Sequence, residues 1–157
     1  MSNQKYLTEH KKQFENKIVI VTGSTQGSGA ETAKLLATRG AKGITICGRN
    51  EEKGNNVKKE IEKIGTECIY IKADLENLED CRKIVSETDK TFGTVNSLIN
   101  SAAFTERGTI LSTTPENYEK MFNINTRAPF FLMQDTIKIM IRDKVKGTIA
   151  HVLSIAA

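Results

Sequence analysis

Residues 17–29 of the chain read KIVIVTGSTQGSG, and this stretch decides the fold. Its β-branched start predicts a buried strand, and three glycines follow the strand at positions 23, 27 and 29. The next segment, AETAKLLATRG at 30–40, predicts a helix that Gly40 closes as its C-cap. A strand, a glycine-rich turn and a helix in this order are typical of a loop that binds the phosphates of a nucleotide.

Four further strands are predicted downstream, at GITICG (43–48), CIYIKA (68–73), VNSLIN (95–100) and GTIAHVLSI (147–155), the last of them as a buried strand. Helices are predicted between them over 50–65, 77–92 and 114–143. Continuous apolar strands that alternate with helices indicate a parallel sheet with helices on both faces. We therefore predict one α/β domain, a Rossmann-like doubly wound sheet of five strands over 17–157, preceded by a polar N-terminal extension, 1–16.

Composition excludes several classes of function. The chain has 157 residues and a net charge of +4, and its basic residues are scattered among acidic ones, which argues against nucleic-acid binding. No apolar run is long enough to span a bilayer, and the first residues lack the apolar segment of a secretory signal. Cys47, Cys68 and Cys81 form no CxxC pair and no even disulfide framework, so we expect a reducing, cytoplasmic setting.

Each glycine of the loop has a predicted task. Gly23 permits the tight turn, Gly27 lets the backbone come close to a ligand, and Gly29 lets the helix pack near the strand. The helix N-terminus offers its N–H groups and the positive end of its dipole to a pyrophosphate. The intervening residues complete the predicted cofactor loop: Ser24, Thr25, Gln26 and Ser28. The alternative is a plain glycine-rich turn.

The end of the second strand bears on cofactor choice. Sites that prefer NAD place a carboxylate here for the ribose hydroxyls, whereas this chain has Gly48 followed by Arg49. A guanidinium suits the 2′-phosphate of NADP. The alternative is that Arg49 is solvated and that Glu51 or Glu52 meets the ribose. We expect those glutamates in the first turn of the next helix, where the dipole favours them, and predict NADP over NAD.

Together these stretches resemble the short-chain dehydrogenase/reductase family over Lys17 to Ala157. TGSTQGSG, 22–29, is similar to the TGxxxGxG cofactor loop of that family, with Ser28 in place of the usual aliphatic residue. Asp74 and Leu75, in the sequence ADL, match the acidic position that meets the adenine. A helix cap is the alternative for Asp74, but Asn77 suits that role better.

The family's NNAG motif corresponds to NSAA at 100–103. Asn100 is retained, whereas Ser101 and Ala103 replace an asparagine and a glycine. The resemblance implies that Asn100, Ser101 and Ala102 lie at the end of a buried strand facing the cofactor.

Two positions match the family's catalytic set. The resemblance implies that the backbone carbonyl of Asn125 holds a water of the proton relay and that Ser154 orients the substrate. Pro129 lacks an N–H and so cannot donate to the carbonyl of Asn125, four residues earlier, which leaves that oxygen available. The alternatives are an ordinary proline kink and a hydroxyl without a task at a strand end. The family gives His151 no catalytic role.

The family's proton donor is a Tyr-x-x-x-Lys pair that follows the serine. Tyr6, Tyr70 and Tyr118 are followed four residues later by His10, Asp74 and Phe122, so the pair is absent from this sequence. We therefore expect the cofactor-binding front portion of a reductase, with negligible turnover on its own.

Three functional hypotheses follow. The leading one is an NADP(H)-dependent oxidoreductase that transfers hydride between nicotinamide and a small-molecule carbonyl or secondary alcohol. A non-catalytic nucleotide-binding fragment is the second. A flavodoxin-like domain that binds a flavin is the third, but it leaves Arg49 and Asp74 without a task.

The helix predicted over 114–143 also bears on partners. One face is predicted to dock on the sheet, with Ile124 and Phe131 on the opposite side. The predicted docking residues are Tyr118, Met121, Phe122, Leu132, Met133, Ile137 and Met140. The surplus apolar face predicts a homo-oligomer, and the resemblance implies the same, because members of the family commonly dimerise through this helix. The alternative is that these are scattered exposed apolar residues, as on any protein.

Overall fold

The computed structural model describes residues 12–154. Residues 1–11 of the predicted extension and Ile155 of the predicted last strand lie outside this range. Strands and helices alternate along the chain. In order they are β1 (Ile18–Thr22), α1 (Gly27–Thr38), β2 (Gly43–Gly48), α2 (Glu51–Ile64), β3 (Glu67–Lys72), α3 (Leu78–Phe92), β4 (Ser97–Asn100), α4 (Pro115–Phe122), a π turn (Asn123–Arg127), α5 (Ala128–Arg142) and β5 (Thr148–His151).

The five strands form one parallel sheet in the order β3-β2-β1-β4-β5. β1 lies at the centre, in register with β2 at Ile20 and Thr45 and with β4 at Ile20 and Leu98. The chain reverses its direction of winding after β3, so the carboxyl ends of β1 and β4 open a crevice between them. The predicted Rossmann-like doubly wound sheet is confirmed.

Each face of the sheet has its own hydrophobic core. On one face Val19, Val21 and Ile44 pack with buried residues of α1 and α2 such as Leu36 and Ile61. The opposite face packs residues of β1, β3 and β4 against α3 and α5. β1 is buried along its whole length because it contributes to both cores, which explains its continuous β-branched sequence.

The helix predicted over 114–143 is interrupted. α4 ends at Phe122, and a π turn over Asn123–Arg127 joins it to α5, with the Ala128 N–H bonded to the Asn123 carbonyl. Pro129 explains this geometry because it has no N–H to continue the α-helical ladder.

The predicted docking face of this helix was partly wrong. Tyr118, Phe122 and Ile137 are 53%, 50% and 42% exposed, whereas Ile124, expected on the opposite side, is buried. The π turn adds a residue to one helical turn and rotates α4 relative to α5. A face that is assigned by α-helical spacing in α4 therefore does not continue on the same side in α5. The buried stripe of α5 includes Leu132, Thr136, Ile139 and Met140.

The last strand was predicted to be buried, and this was also wrong. Along β5, Ile149 is half-buried, whereas Thr148, Ala150 and His151 are exposed. β5 pairs with β4 on one side, and within residues 12–154 no strand pairs with its other side. The strand is therefore an edge strand.

Three further observations concern the segments around the sheet. Phe14, inside the predicted extension, packs against the α1–α2 core, and its N–H donates to the Arg39 carbonyl over 3.0 Å. Gly40, predicted as the C-cap of α1, follows the cap residue Arg39 with φ of 87°. Among residues 12–154, no helix has the length and apolar character needed to cross a membrane.

Candidate functional site

A cleft of about 310 Å³ opens at the carboxyl ends of the central strands. Its walls come from the loop after β1, the end of β2, the loop after β3 and the segment after β4. The lining residues are Gly23, Thr25, Gln26, Gly27, Ser28, Cys47, Gly48, Arg49, Ala73, Asp74, Leu75, Ser101, Ala102, Ala103, Phe104 and Ile124. Ligands of doubly wound sheets bind at this position.

The glycines of the loop after β1 have distinct surroundings. Gly23 has φ of 64°, and a Cβ there would lie 2.7 Å from the Ala102 backbone. A Cβ on Gly29 would collide with the carbonyl oxygen of Gly23. A Cβ on Gly27 would meet nothing within 4 Å, so this glycine faces open space in the cleft. Gly23 and Gly29 are thus closely packed, Gly23 also has a positive φ, and Gly27 leaves the loop open to the cleft.

The N-terminus of α1 faces the cleft without a side-chain cap. Gln26 is the N-cap residue, but its side chain makes no capping hydrogen bond, and the first turn holds no acidic residue. The first N–H groups of a helix lack partners within the helix, and the dipole makes this end positive. This end of α1 can therefore accept an anionic group such as a pyrophosphate.

Ser24 does not line the cleft, although it belongs to the predicted cofactor loop. Its side chain is buried, its Oγ donates to the Val21 carbonyl over 2.6 Å, and it accepts from the Cys47 N–H over 3.0 Å. Ser24 thus ties the loop to β2. Cys47 lines the cleft, but burial raises the pKa of its thiol to about 12, so it is not a thiolate nucleophile at neutral pH.

Arg49 lies in the cleft at the end of β2, as predicted. Within residues 12–154 its guanidinium makes no hydrogen bond or ion pair, which leaves its donors available to a ligand. Glu51 and Glu52 occupy the first turn of α2, as expected, and Glu51 lies 3.7 Å from the ammonium of Lys72. The Tyr70 hydroxyl donates to the Gly48 carbonyl over 2.8 Å and steadies the strand end beside Arg49.

Asp74 lies in a turn that other side chains hold in place. Its N–H donates to Asp80 Oδ2 over 2.8 Å, and its Oδ1 accepts from the Glu76 N–H over 3.1 Å. Arg127 of the π turn donates to the Glu76 carbonyl over 2.6 Å. Asn77 caps α3, as expected, by accepting from the Glu79 N–H. The Asp74 turn is therefore tied to both α3 and the π turn.

The segment after β4 approaches the cofactor loop closely. The N–H groups of Ser101 and Ala102 both donate to Thr22 Oγ1 over 3.2 Å, and Ser101 Oγ lies 3.5 Å from Ser28 Oγ. Asn100 does not line the cleft. It is buried at the end of β4, and neither atom of its carboxamide has a partner among residues 12–154.

Asn125 and Phe104 hold each other through two hydrogen bonds. Asn125 Oδ1 accepts from the Phe104 N–H over 2.9 Å, and Asn125 Nδ2 donates to the Phe104 carbonyl over 2.7 Å. Phe104 lines the cleft, so the Asn125 side chain positions one of its walls. Because both polar atoms of this carboxamide bond to Phe104, the role that the resemblance implies for Asn125 falls to its backbone carbonyl.

Ser154 is not among the residues that line the cleft. It is exposed and follows β5 at the same edge of the sheet, after Val152, whose N–H donates to the Asn100 carbonyl over 2.9 Å. His151 is exposed, and its Nε2 lies 3.1 Å from the Met133 sulfur.

Sequence reasoning missed several lining residues. Phe104 and Ile124 carry no polar side-chain group that suggests a ligand, and the backbone of Phe104 is held in the site by hydrogen bonds with Asn125. Cys47 and Ala73 could have been found, because each adjoins a strand end whose neighbour was already assigned to the site.

The chain is similar to known proteins of one family. The family model "short chain dehydrogenase" matches residues 17–157. An uncharacterized oxidoreductase of Thermotoga maritima is 34% identical, with 90% of this chain and 55% of that protein covered. Versicolorin reductase 1 of Aspergillus parasiticus is 31% identical, with 82% and 49% covered.

Solved structures agree. A short chain dehydrogenase from Burkholderia cenocepacia in complex with NADP has a TM-score of 0.84 at 28% identity, with 90% of this chain and 57% of that chain covered. A metagenomic short-chain oxidoreductase in complex with NADP has a TM-score of 0.85 at 26% identity, with 91% and 64% covered. The chain spans about half the length of the two curated relatives, 55% and 49%. By the family match and by these relatives, the chain belongs to the short-chain dehydrogenase family.

Proposed function

We propose that the cleft binds NADP(H) and that the protein is an oxidoreductase acting on a small-molecule carbonyl or secondary alcohol. The observation that carries this proposal is the presence in one cleft of a helix N-terminus without a side-chain cap and of Arg49, whose guanidinium has no partner among residues 12–154. The first suits a pyrophosphate and the second suits a phosphate on the ribose. When bound, the nicotinamide would donate a hydride to a carbonyl carbon or accept one from an alcohol.

The preference for NADP over NAD rests on what stands at the end of β2. Gly48 and Arg49 leave no carboxylate at the position where NAD-preferring sites bond the ribose hydroxyls. The carboxylate of Glu51 lies 3.7 Å from the ammonium of Lys72. Two solved relatives above 25% identity are complexes with NADP, which supports the same choice.

Each remaining site residue has a proposed task. Gly23, Gly27, Gly29, Thr25 and Ser28 would hold the pyrophosphate, with Ser24 and Gln26 shaping the loop. Asp74 and Leu75 would meet the adenine, and Ser101 and Ala102 would face the nicotinamide half, with Asn100 beneath them.

Asn125 and Ser154 are the proposed catalytic residues. Asn125 would support proton transfer through its backbone carbonyl, since its side chain holds Phe104. Ser154 would polarise the substrate oxygen. Because the sequence contains no Tyr-x-x-x-Lys pair, we expect the 157-residue chain alone to turn over substrate negligibly.

We also propose a homo-oligomer formed through the α4–α5 region. Phe122, Phe130 and Ile141 are 50%, 54% and 72% exposed, a larger apolar surface than a solvated helix needs. Light scattering tests this, and a monomer at high concentration would contradict it. A cytoplasmic location remains a prediction, supported by the three unpaired, buried cysteines.

Calorimetric titration of the chain with NADPH and then NADH tests the main proposal. We expect NADPH to bind more tightly than NADH. Arg49→Ala should lower the affinity for NADPH by about 10-fold and leave the affinity for NADH unchanged. Lys17→Ala, which removes one positive charge away from the cleft, is the control. Equal affinity for the two cofactors would refute the NADP preference, and the absence of binding to either would refute the nucleotide site.

A further inference from the structure

A lysine outside the assigned site reaches across to the cofactor loop. Lys53 Nζ donates to Gln26 Oε1 over 2.6 Å. Gln26 lines the cleft and is the N-cap residue of α1, and this contact explains why its side chain does not cap the helix. The ammonium of Lys53 thus lies at the mouth of the cleft, although Lys53 does not itself line it.

The backbone of Lys53 is fixed in this position. Asn50 is the N-cap of α2, and its Oδ1 accepts from the Lys53 N–H over 2.9 Å. Lys53 therefore lies in the first turn of α2, four residues after Arg49 and three after Asn50. The helix start that presents Arg49 to the cleft also directs the lysine towards the cofactor loop.

The charge of Lys53 has no anionic partner among the described residues. Its acceptor is a neutral carboxamide, and within residues 12–154 no carboxylate lies within 4 Å of its ammonium. Of the two glutamates at the start of α2, Glu51 lies 3.7 Å from the ammonium of Lys72, and Glu52 makes no ion pair within residues 12–154. A hydrogen bond from an ammonium to a phosphate is stronger than one to a neutral amide, so an anion at this mouth would attract Lys53 away from Gln26.

We infer that Lys53 is a second specificity-determining cation, which Gln26 holds at the cleft mouth and which contacts the 2′-phosphate of the cofactor together with Arg49. The inference rests on the proposed function, because it assumes that the adenosine of NADP(H) occupies this end of the cleft. Arg49 and Lys53 would both donate hydrogen bonds to the phosphate, and the hydrogen bond to Gln26 orders the flexible lysine beforehand. This pre-ordering lowers the entropy lost when the phosphate binds.

The test compares two probes that differ only in the 2′-phosphate, adenosine 2′,5′-bisphosphate and adenosine 5′-phosphate. Both are titrated into the 157-residue chain by calorimetry. Lys53→Met removes the charge and keeps most of the apolar stem. Lys59→Met, an exposed lysine of the same helix, is the matched charge control, and Lys53→Arg tests rescue.

We expect Lys53→Met to lower the affinity for the bisphosphate by about 3- to 10-fold, with a larger loss at low salt. The affinity for the monophosphate should not change. Lys53→Arg should keep the preference, and Lys59→Met should change neither affinity. Equal losses for both probes, or no loss for either, would overturn the inference.

The outcomes separate this inference from the proposed function. If Arg49→Ala abolishes the preference for the bisphosphate and Lys53→Met retains it, the NADP proposal stands and the role of Lys53 is refuted. If the unaltered chain binds both probes equally, the NADP preference and the inference fall together. Failure to bind either probe refutes the nucleotide site as well.

Discussion

The start of α1 differs from the starts of α2 and α3. Asn50 and Asn77 cap α2 and α3 with side-chain hydrogen bonds, and each of those helices has two acidic residues in its first turn. α1 begins without a side-chain cap and without an acidic residue, and it faces the cleft. Caps and acids stabilise a helix start, so their omission at α1 gives up local stability.

This difference separates helix starts that serve the fold from one that serves a ligand. At a capped, acidic start the cap side chain satisfies one of the free N–H groups, and the acidic residues repel anions. An open start keeps its N–H groups and its positive dipole end for an anion. Four substitutions test this contrast.

The largest effect is expected from Gly29→Ala, because its Cβ would collide with the backbone carbonyl of Gly23. We expect the free energy of unfolding to fall by about 1–3 kcal/mol and NADPH binding to be lost. Chemical denaturation and calorimetry measure the two effects. Gly27→Ala is the comparison, since its Cβ would meet nothing and only its φ of 58° is strained. Equal losses of stability in both variants would contradict the assignment of a steric role to Gly29.

Ser28→Asp makes the start of α1 resemble those of α2 and α3. The carboxylate would favour the helix dipole but repel a bound pyrophosphate, so we expect affinity for NADPH to fall by about 1–2 kcal/mol without loss of stability. Ser28→Asn, similar in size and neutral, is the control. Calorimetry at two salt concentrations measures the effect. Unchanged affinity in Ser28→Asp would show that no anion binds at this helix start.

Asn77→Ala removes the cap of α3 and should lower the free energy of unfolding by about 1 kcal/mol. The reason is that the Glu79 N–H, which donates to Asn77 Oδ1 over 2.8 Å, would lose its partner. Asn77→Asp keeps an acceptor and should retain the stability. Urea denaturation measures both variants, and equal destabilisation by Ala and Asp would argue against capping.

The smallest effect concerns Glu116, in the first turn of α4. A hydrogen bond from its own backbone N–H and one from Thr114 lower the pKa of its carboxyl below the ordinary value of 4.5. A lowered pKa stabilises the fold above that ordinary value, and this contribution is lost as the pH falls through the lowered value. Glu116→Gln should therefore cost stability at neutral pH but not in acid. Thermal unfolding from pH 7 to about pH 3 measures it, and a difference that persists in acid would contradict the assignment.

Much of the fold could be predicted from the sequence because its signals are local. Residues 17–29 combine a buried strand, a tight turn and a helix start, and each of those depends on residue types that lie next to one another. The same holds for Asn77, whose capping of α3 follows from its position before the helix. The position of Arg49 in the cleft also follows from local order, since it comes directly after a strand whose end faces the ligand.

The region from 114 to 154 could be predicted less well. Pro129 indicated a missing donor, but it did not show that the helix would respond with a π turn, which altered the faces of α4 and α5. The exposure of Ala150 depends on what pairs with β5, and no local pattern contains that information.

By itself, the sequence determined the alternation of strands and helices, the glycine loop and the guanidinium at the end of β2. Those features depend on backbone freedom, side-chain shape and charge within short segments. Only the tertiary structure decided which distant groups meet, such as the clamp of Asn125 on Phe104 and the contact of Lys53 with Gln26. The physical reason is that such contacts depend on how helices and loops pack on the sheet. This packing is determined jointly by side chains that are far apart in the sequence.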